Sequence, residues 1–220
     1  MKIYDKIVQG SDEWKEIRHG KVGGSTAKEV MAKADKPITE CAAFYALLSE
    51  KMEEFDPFTS EFVSLAMQRG NELEPEACKE YERITGIKMS EYGWIEIDDF
   101  VGISPDRWNQ ELKKAIEIKC PEAKTYAKYL VNFDEFLSDY CWQLVHYFLV
   151  LGVESVDCVA YRPENTYRPI IIKTITNDTV IKVSAKVSLP ISKLVEMLGV
   201  RLTVLKSAID RELGVLINNF

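Results

Sequence analysis

Ser104-Pro105-Asp106-Arg107-Trp108-Asn109-Gln110-Glu111-Leu112-Lys113-Lys114-Ala115-Ile116-Glu117-Ile118-Lys119-Cys120 is the segment around which the rest of the chain can be organised. Residues 115–120 alternate with period two, which predicts a strand. Successive side chains of a strand point to opposite faces, so Ile116 and Ile118 share one face and Glu117 and Lys119 the other. The isoleucines face a core, and the charged pair then faces a cleft. Residues 100–104 predict the preceding strand, with Asn109-Gln110 as the turn between the two. Asp106 follows that strand and a proline, where a turn can aim it at the same cleft. Two carboxylates and a lysine would then converge.

That grouping has a chemical use. Phosphodiester hydrolysis needs charge neutralised on the attacked phosphate and a hydroxide made near neutral pH, and metal ions held by two carboxylates serve both needs. A lysine beside them can orient or deprotonate the attacking water. The carbonyl of Ile118 offers a further hard oxygen ligand. Glu-x-Lys alone is common in solvated hairpins, and Pro-Asp alone is an ordinary turn signal. Only the combination, with strands in the right places, indicates a site.

Working outward, Ser11 reads as the N-cap of a helix that runs to about His19 and stops at Gly20. Thr26 and Glu29 have capping-box spacing for a second helix. Helices are further predicted over 39–53, 60–85 (ending near Gly86) and 136–151, with a long amphipathic one over 177–212. Strands are predicted over 92–98, 155–161 and 168–175. The order of elements predicts an α/β (α+β) fold with a mixed central β-sheet flanked by helices. Without repeats or linkers, the 220 residues read as a single domain, 1–220.

The bulk properties narrow the function. The chain is 46% hydrophobic and 29% charged, a globular composition. Its longest apolar stretch, 144–153, is interrupted by His146 and is too short to span a bilayer. With no apolar run at the N-terminus, a cytoplasmic protein with no membrane partner is expected. Five cysteines without a Cys-x-x-Cys pair read as buried thiols. With only His19 and His146 available, any metal site must rest on carboxylates, which suit magnesium or manganese. The net charge of −7 argues mildly against nucleic acid, but Lys15, Arg18, Lys21, Lys28, Lys33 and Lys36 concentrate positive charge near the N-terminus.

Asp106, Glu117 and Lys119 match the Pro-Asp…(Asp/Glu)-x-Lys pattern of the restriction-endonuclease-like nucleases. Three further blocks make the match more specific. Trp14, Arg18 and Ser25 have Trp-x3-Arg-x6-Ser spacing. Arg69 to Ala77 carries Gly-x3-Glu-x2-Ala, and Tyr140 and Gln143 form Tyr-x2-Gln. In this order, over residues 9 to about 150, the chain resembles the lambda-exonuclease-like family (YqaJ-type viral recombinases). The resemblance implies a restriction-endonuclease-like core and an exonuclease that degrades one strand of double-stranded DNA from its 5′ end, leaving 3′ overhangs for phage recombination. It also implies Mg2+ (with Mn2+ as a substitute), DNA ends as substrate, a homotrimer and a single-strand annealing protein as partner. It places Glu74 in the metal cluster with Asp106, Glu117 and Ile118, and Gln143 beside the catalytic Lys119.

Other residues have two readings. Trp14 and Arg18 lie four apart on one helix face. They are either a core anchor and a surface charge or, as the resemblance favours, a pocket for a 5′-phosphate gripped by Arg18 and by backbone amides near Ser25. Glu74 sits in an acidic run that otherwise reads as solvated surface. Gln143, among Trp142, Leu144 and Val145, needs a polar partner, structural or at the scissile region. Tyr140 shares its face, and His146 reads as structural. Lys124 and Lys128 contact DNA phosphates or merely solvate the surface. A site-specific or repair endonuclease with the same core is the alternative within enzymes. A catalytically silent DNA-binding protein is the alternative outside them, against which the intact Asp106, Glu117 and Lys119 argue.

Overall fold

A computed structural model of the chain describes residues 1–58 and 64–218. The strand read from residues 115–120 is β5 of the chain (Lys114–Lys119). It sits inside a four-stranded mixed sheet with β4 (Arg107–Asn109), β6 (Ser155–Tyr161) and β7 (Ile170–Thr176), in the order β4-β5-β6-β7. β5 pairs in parallel with β6, with Glu117 opposite Cys158, and the other two pairings are antiparallel. A second sheet joins β1 (Lys2–Tyr4), β2 (Trp94–Glu96) and β3 (Gly102–Ile103). A hairpin of β8 (Val180–Ser184) and β9 (Val187–Pro190) forms a separate two-stranded sheet, with Ile181 buried in the core.

The helices are α1 (Asp12–Arg18), α2 (Ala27–Met31), α3 (Ala42–Met52), α4 (Leu65–Thr85), α5 (Ala123–Val131), α6 (Asp134–Asp139), α7 (Cys141–Leu151) and α8 (Ile191–Asn218). α4 covers one face of the mixed sheet, where Ile116, Ile118 and Val159 pack on Ala77 and Tyr81. The larger core, built from α2, α3, α7 and α8, holds Ala115 and Ala160 of the same strands. Strands paired in parallel are buried on both faces. The face carrying Glu117 is therefore walled by helices, and Glu117 has no solvent exposure.

The mixed, helix-flanked sheet and most elements stand where the sequence puts them. Ser11 caps α1 by accepting from the Trp14 N–H, and Gly20 (φ 68°) and Gly86 (φ 71°) lie just past α1 and at the end of α4 in left-handed conformations. Some expectations are corrected. The strand expected over 100–104 is present as β3, but it pairs with β2, and the strand that precedes the turn into β5 is β4, which follows Asp106. Thr26 makes no capping-box bond, because it is itself in helical conformation and the turn is closed by Ala27 N–H donating to the Gly23 carbonyl. The helix expected over 136–151 is two, broken at Tyr140 (φ −111°). The helix expected from 177 begins only at Ile191. Thr179, Val180, Ile181, Val183 and Val187 are β-branched and favour the hairpin, which Pro190 ends. The expected start of α4, residues 60–63, lies outside the described residues. Among the described residues no helix is long and apolar enough to cross a membrane.

Candidate active site

β4 covers β5 only as far as Ile116, leaving the end of β5 with an open edge toward Asp106. Asp106 fills it: its Oδ2 accepts the Ile118 N–H at 2.6 Å. In an extended strand a residue's N–H and C=O point to the same side, so the Ile118 carbonyl also faces Asp106. Tyr147 of α7 fixes the turn, its hydroxyl accepting the Asp106 N–H at 3.1 Å and donating to the Ile116 carbonyl at 3.3 Å. Glu117 lies on the α7 face of β5 and forms an ion pair with Lys119. Beyond that pair, both of its carboxylate oxygens are buried without a hydrogen bond. Lys119 Nζ stands 5.0 Å from the centre of the Tyr140 ring.

These groups open on a cleft of about 460 Å³ lined by Glu74, Asp106, Ile118, Lys119 and Tyr140. Gly70 and Asn71 of α4 form its opposite wall. Pro75 cannot donate a helical hydrogen bond, so the Asn71 carbonyl one turn earlier has no helical N–H partner at this wall.

The electrostatics are those of crowded carboxylates. Burial, then the charge of Glu117, pushes the Asp106 carboxyl well above the usual range. Burial disfavours the Lys119 ammonium, but Glu117 and Asp106 outweigh it and hold Lys119 protonated above the ordinary lysine range. Burial also raises Glu74, against the pull of Arg107. Arg107, immediately after Asp106, donates to Glu74 Oε1 at 2.7 Å and to the Asp106 carbonyl, and lies 3.6 Å from Glu91.

A divalent cation fits this donor set. The buried Glu117 carboxylate has only Lys119 as an ion-pair partner, burial and the Glu117 charge keep the Asp106 carboxyl raised, and a backbone carbonyl stands beside them. Glu74, expected in the metal cluster, lines the cleft but is engaged by Arg107. Among the described residues no three His, Cys, Asp or Glu side chains gather as a ready-made metal cluster.

Trp14, Arg18, Ser25 and Gln143 form a second group. The Arg18 guanidinium carbon lies 3.7 Å from the Trp14 ring centre and 5.6 Å from that of Trp94. A Cβ placed on Gly23 would be 3.5 Å from Arg18 Nη2, and one on Gly24 would be 3.4 Å from Gln143 Cγ. Arg18 and Gln143 thus flank the turn that leads to the exposed Ser25. Trp14 Nε1 donates to Ser104 Oγ at 2.7 Å, tying this group to the segment carrying Asp106 two residues on. Gln9 is a second tie, lining the cleft and donating to the carbonyls of Tyr92 and Pro105. Gln143 is therefore on the Ser25 side and not among the residues lining the cleft. Lys124 is exposed on α5 and is not among the residues lining the cleft, and Lys128 is paired with Glu135 and Asp139. His146 is fully buried against the Gly102 carbonyl at 2.8 Å, and burial lowers its pKa to about 4. All five cysteines are free and buried.

Arg107, Tyr147 and Gln9 escape a reading by sequence. Tyr147 was within reach, since it follows Tyr140 and Gln143 at the spacing of one helix face.

The fold is that of a restriction-endonuclease-like core. The model of the YqaJ-like viral recombinase domain matches residues 13–154, and the chain belongs to that family. Its structure is similar to an alkaline exonuclease from Laribacter hongkongensis, with a TM-score of 0.76 at 23% identity, covering 95% of this chain and 97% of that one. The same protein in complex with dAMP gives a TM-score of 0.75 at 24% identity, with the same coverage. A phage-related exonuclease from Haemophilus somnus 129PT gives 0.64 at 16% identity, covering 89% of this chain and 96% of that one. No curated protein matches the sequence.

Proposed function

We propose that the chain is a divalent-metal-dependent exonuclease that hydrolyses double-stranded DNA from 5′ ends and leaves 3′ single-stranded overhangs for recombination. The observation that carries this reading is the buried Glu117 carboxylate, paired with Lys119, behind an open cleft lined by Asp106, Ile118 and Lys119. Asp106, Glu117 and the Ile118 carbonyl would hold the ion, Mg2+ with Mn2+ as a substitute. When bound, such an ion supplies charge neutralisation at the phosphate and water activation.

The chain's own residues do the rest. Asp106 is fixed by the Ile118 amide and Tyr147, so its free oxygen has a set direction. Lys119, beside Glu117 at the cleft, would orient the attacked phosphate or the attacking water. Arg18, stacked on Trp14, would grip a terminal 5′-phosphate with its planar fork. The tie through Ser104 would hold that phosphate at a fixed offset from Asp106. That a related fold crystallises with dAMP agrees with a nucleotide-sized site. A homotrimer and a single-strand annealing partner accompany this reading, and light scattering at micromolar concentration tests the first, a monomer counting against it.

Linear and closed-circular duplexes separate this function from its rivals. Degradation of the linear form alone supports an exonuclease. Nicking or cutting of the circle identifies an endonuclease, and binding without cleavage of either identifies a silent DNA-binding protein.

A further inference from the structure

Two arginines meet at the rim of the cleft. Arg69 precedes Gly70 on the α4 wall. Arg162 follows β6, which runs parallel to β5, so it emerges at the same end of the sheet as Lys119. Its Nη1 donates at 3.2 Å to the carbonyl of Pro121, which lines the cleft. Both guanidiniums turn to one oxygen: Glu164 Oε2 lies 2.8 Å from Arg69 Nη2 and 3.8 Å from Arg162 Nε. The arginine side chains are 23% and 16% exposed, that of Glu164 50%. Glu122, exposed at the N-cap of α5, is the other carboxylate that acts on Arg69.

Glu164 satisfies Arg69 incompletely. The Nε–H and Nη2–H of an arginine lie side by side and suit an oxyanion that accepts both. Glu164 takes Nη2, and among the described residues Arg69 Nε, shielded from solvent, has no hydrogen-bond partner. A carboxylate and a phosphodiester each carry one negative charge on two terminal oxygens. Exchanging one for the other leaves the net charge of the rim unchanged, and the half-exposed Glu164 returns to water. We propose that Arg69 and Arg162 form a subsite for an internucleotide phosphate of the DNA strand lying in the cleft, and that Glu164 occupies this subsite until the strand displaces it. The inference rests on the proposed function. It concerns a different phosphate from the terminal one assigned to Arg18.

The test is equilibrium binding of a short, fluorescently labelled linear duplex to the intact protein, read by anisotropy in chelator over a range of salt. Hydrolysis of the same duplex by the wild type in Mg2+ is read alongside. Glu164→Gln removes the internal competitor, an exposed ion pair, and should tighten binding about two- to fivefold. A protein that failed to fold could not show that gain. Glu154→Gln is the charge control: Glu154 precedes the far end of β6, roughly 20 Å away and beyond the screening length of about 10 Å, and should change nothing. Arg69→Ala should weaken binding about tenfold and lower the slope of log Kd against log salt by about one. It should do so equally for 5′-phosphate and 5′-hydroxyl ends. In the Arg69→Ala background the gain from Glu164→Gln should shrink. Unchanged or weaker binding by Glu164→Gln would overturn the proposal. So would a gain that persists undiminished without Arg69, which marks a general charge effect, or an Arg69→Ala loss confined to phosphorylated ends. Wild-type hydrolysis without these shifts would overturn the subsite alone, whereas absence of both binding and hydrolysis would refute the proposed function as well.

Discussion

Replacing Lys119 by methionine preserves the length of the side chain and removes its charge. In the metal-free protein that charge is the ion-pair partner of Glu117, which has no exposure, and stands near Asp106, whose carboxyl is already pushed up. Removing one partner of a buried ion pair costs about 3–5 kcal/mol. The lower end applies, because a quarter of the Lys119 side chain is exposed. At about 2–4 °C per kcal/mol for a chain of this size, Tm in a chelator at pH 8 should fall by roughly 6–12 °C. A divalent ion replaces the missing positive charge, so Mn2+ should stabilise the variant more than the wild type. Saturation at a hundred times Kd contributes about 2.7 kcal/mol by mass action, before any gain in affinity. Hydrolysis should be lost although the ion binds. Thermal unfolding with chelator and with Mn2+ checks both parts. An unchanged Tm in chelator, or equal stabilisation of both proteins by Mn2+, would refute the view of Lys119 as counter-ion to a buried carboxylate pair.

Three other outcomes are expected. Asp106→Ala should lose both Mn2+ binding and activity, as calorimetry and nucleotide release would show. Arg18→Ala should erase a preference for 5′-phosphorylated over 5′-hydroxyl ends, since a bidentate charge-assisted contact is worth roughly 1.5–3 kcal/mol, or about one to two powers of ten; equal slowing on both ends would make Arg18 a general contact. His146 is neutral in the fold with its pKa lowered to about 4, whereas the unfolded chain takes up the proton below the ordinary 6.5. Its contribution is therefore complete above pH 6.5 and lost as pH falls toward 4, about 3 kcal/mol in all. Denaturant titrations of His146→Gln should show a flatter acid limb over that range.

What the sequence made legible follows from where the physics is local. The strand at 115–120 was readable because alternation of isoleucine with charge is a backbone property, and Ser11, Gly20 and Gly86 mark helix ends through their own conformations. The burial of Glu117 was not readable. It depends on α7 and β6, which are remote in sequence and wall in a face that alternation alone assigns to an open cleft. Arg107 was hidden for the same reason: its meaning comes from Glu74, thirty-three residues earlier. The hairpin at 180–190 was overrun by the strong period of α8, although its β-branched residues marked it. Gln143 read either as structural or, by the resemblance, as a residue near Lys119, and the packing of α7 on Gly24 places it on the Arg18 side.

The central claim is metal-dependent hydrolysis at Asp106, Glu117 and Lys119. Its most direct test is release of acid-soluble nucleotide from a linear duplex with 5′-phosphate ends, by wild type and Glu117→Gln, in Mg2+ and in chelator. Release by the wild type in Mg2+ alone, with none from the variant, is the predicted result. Release that persists in chelator, or in the Glu117→Gln protein, would contradict it.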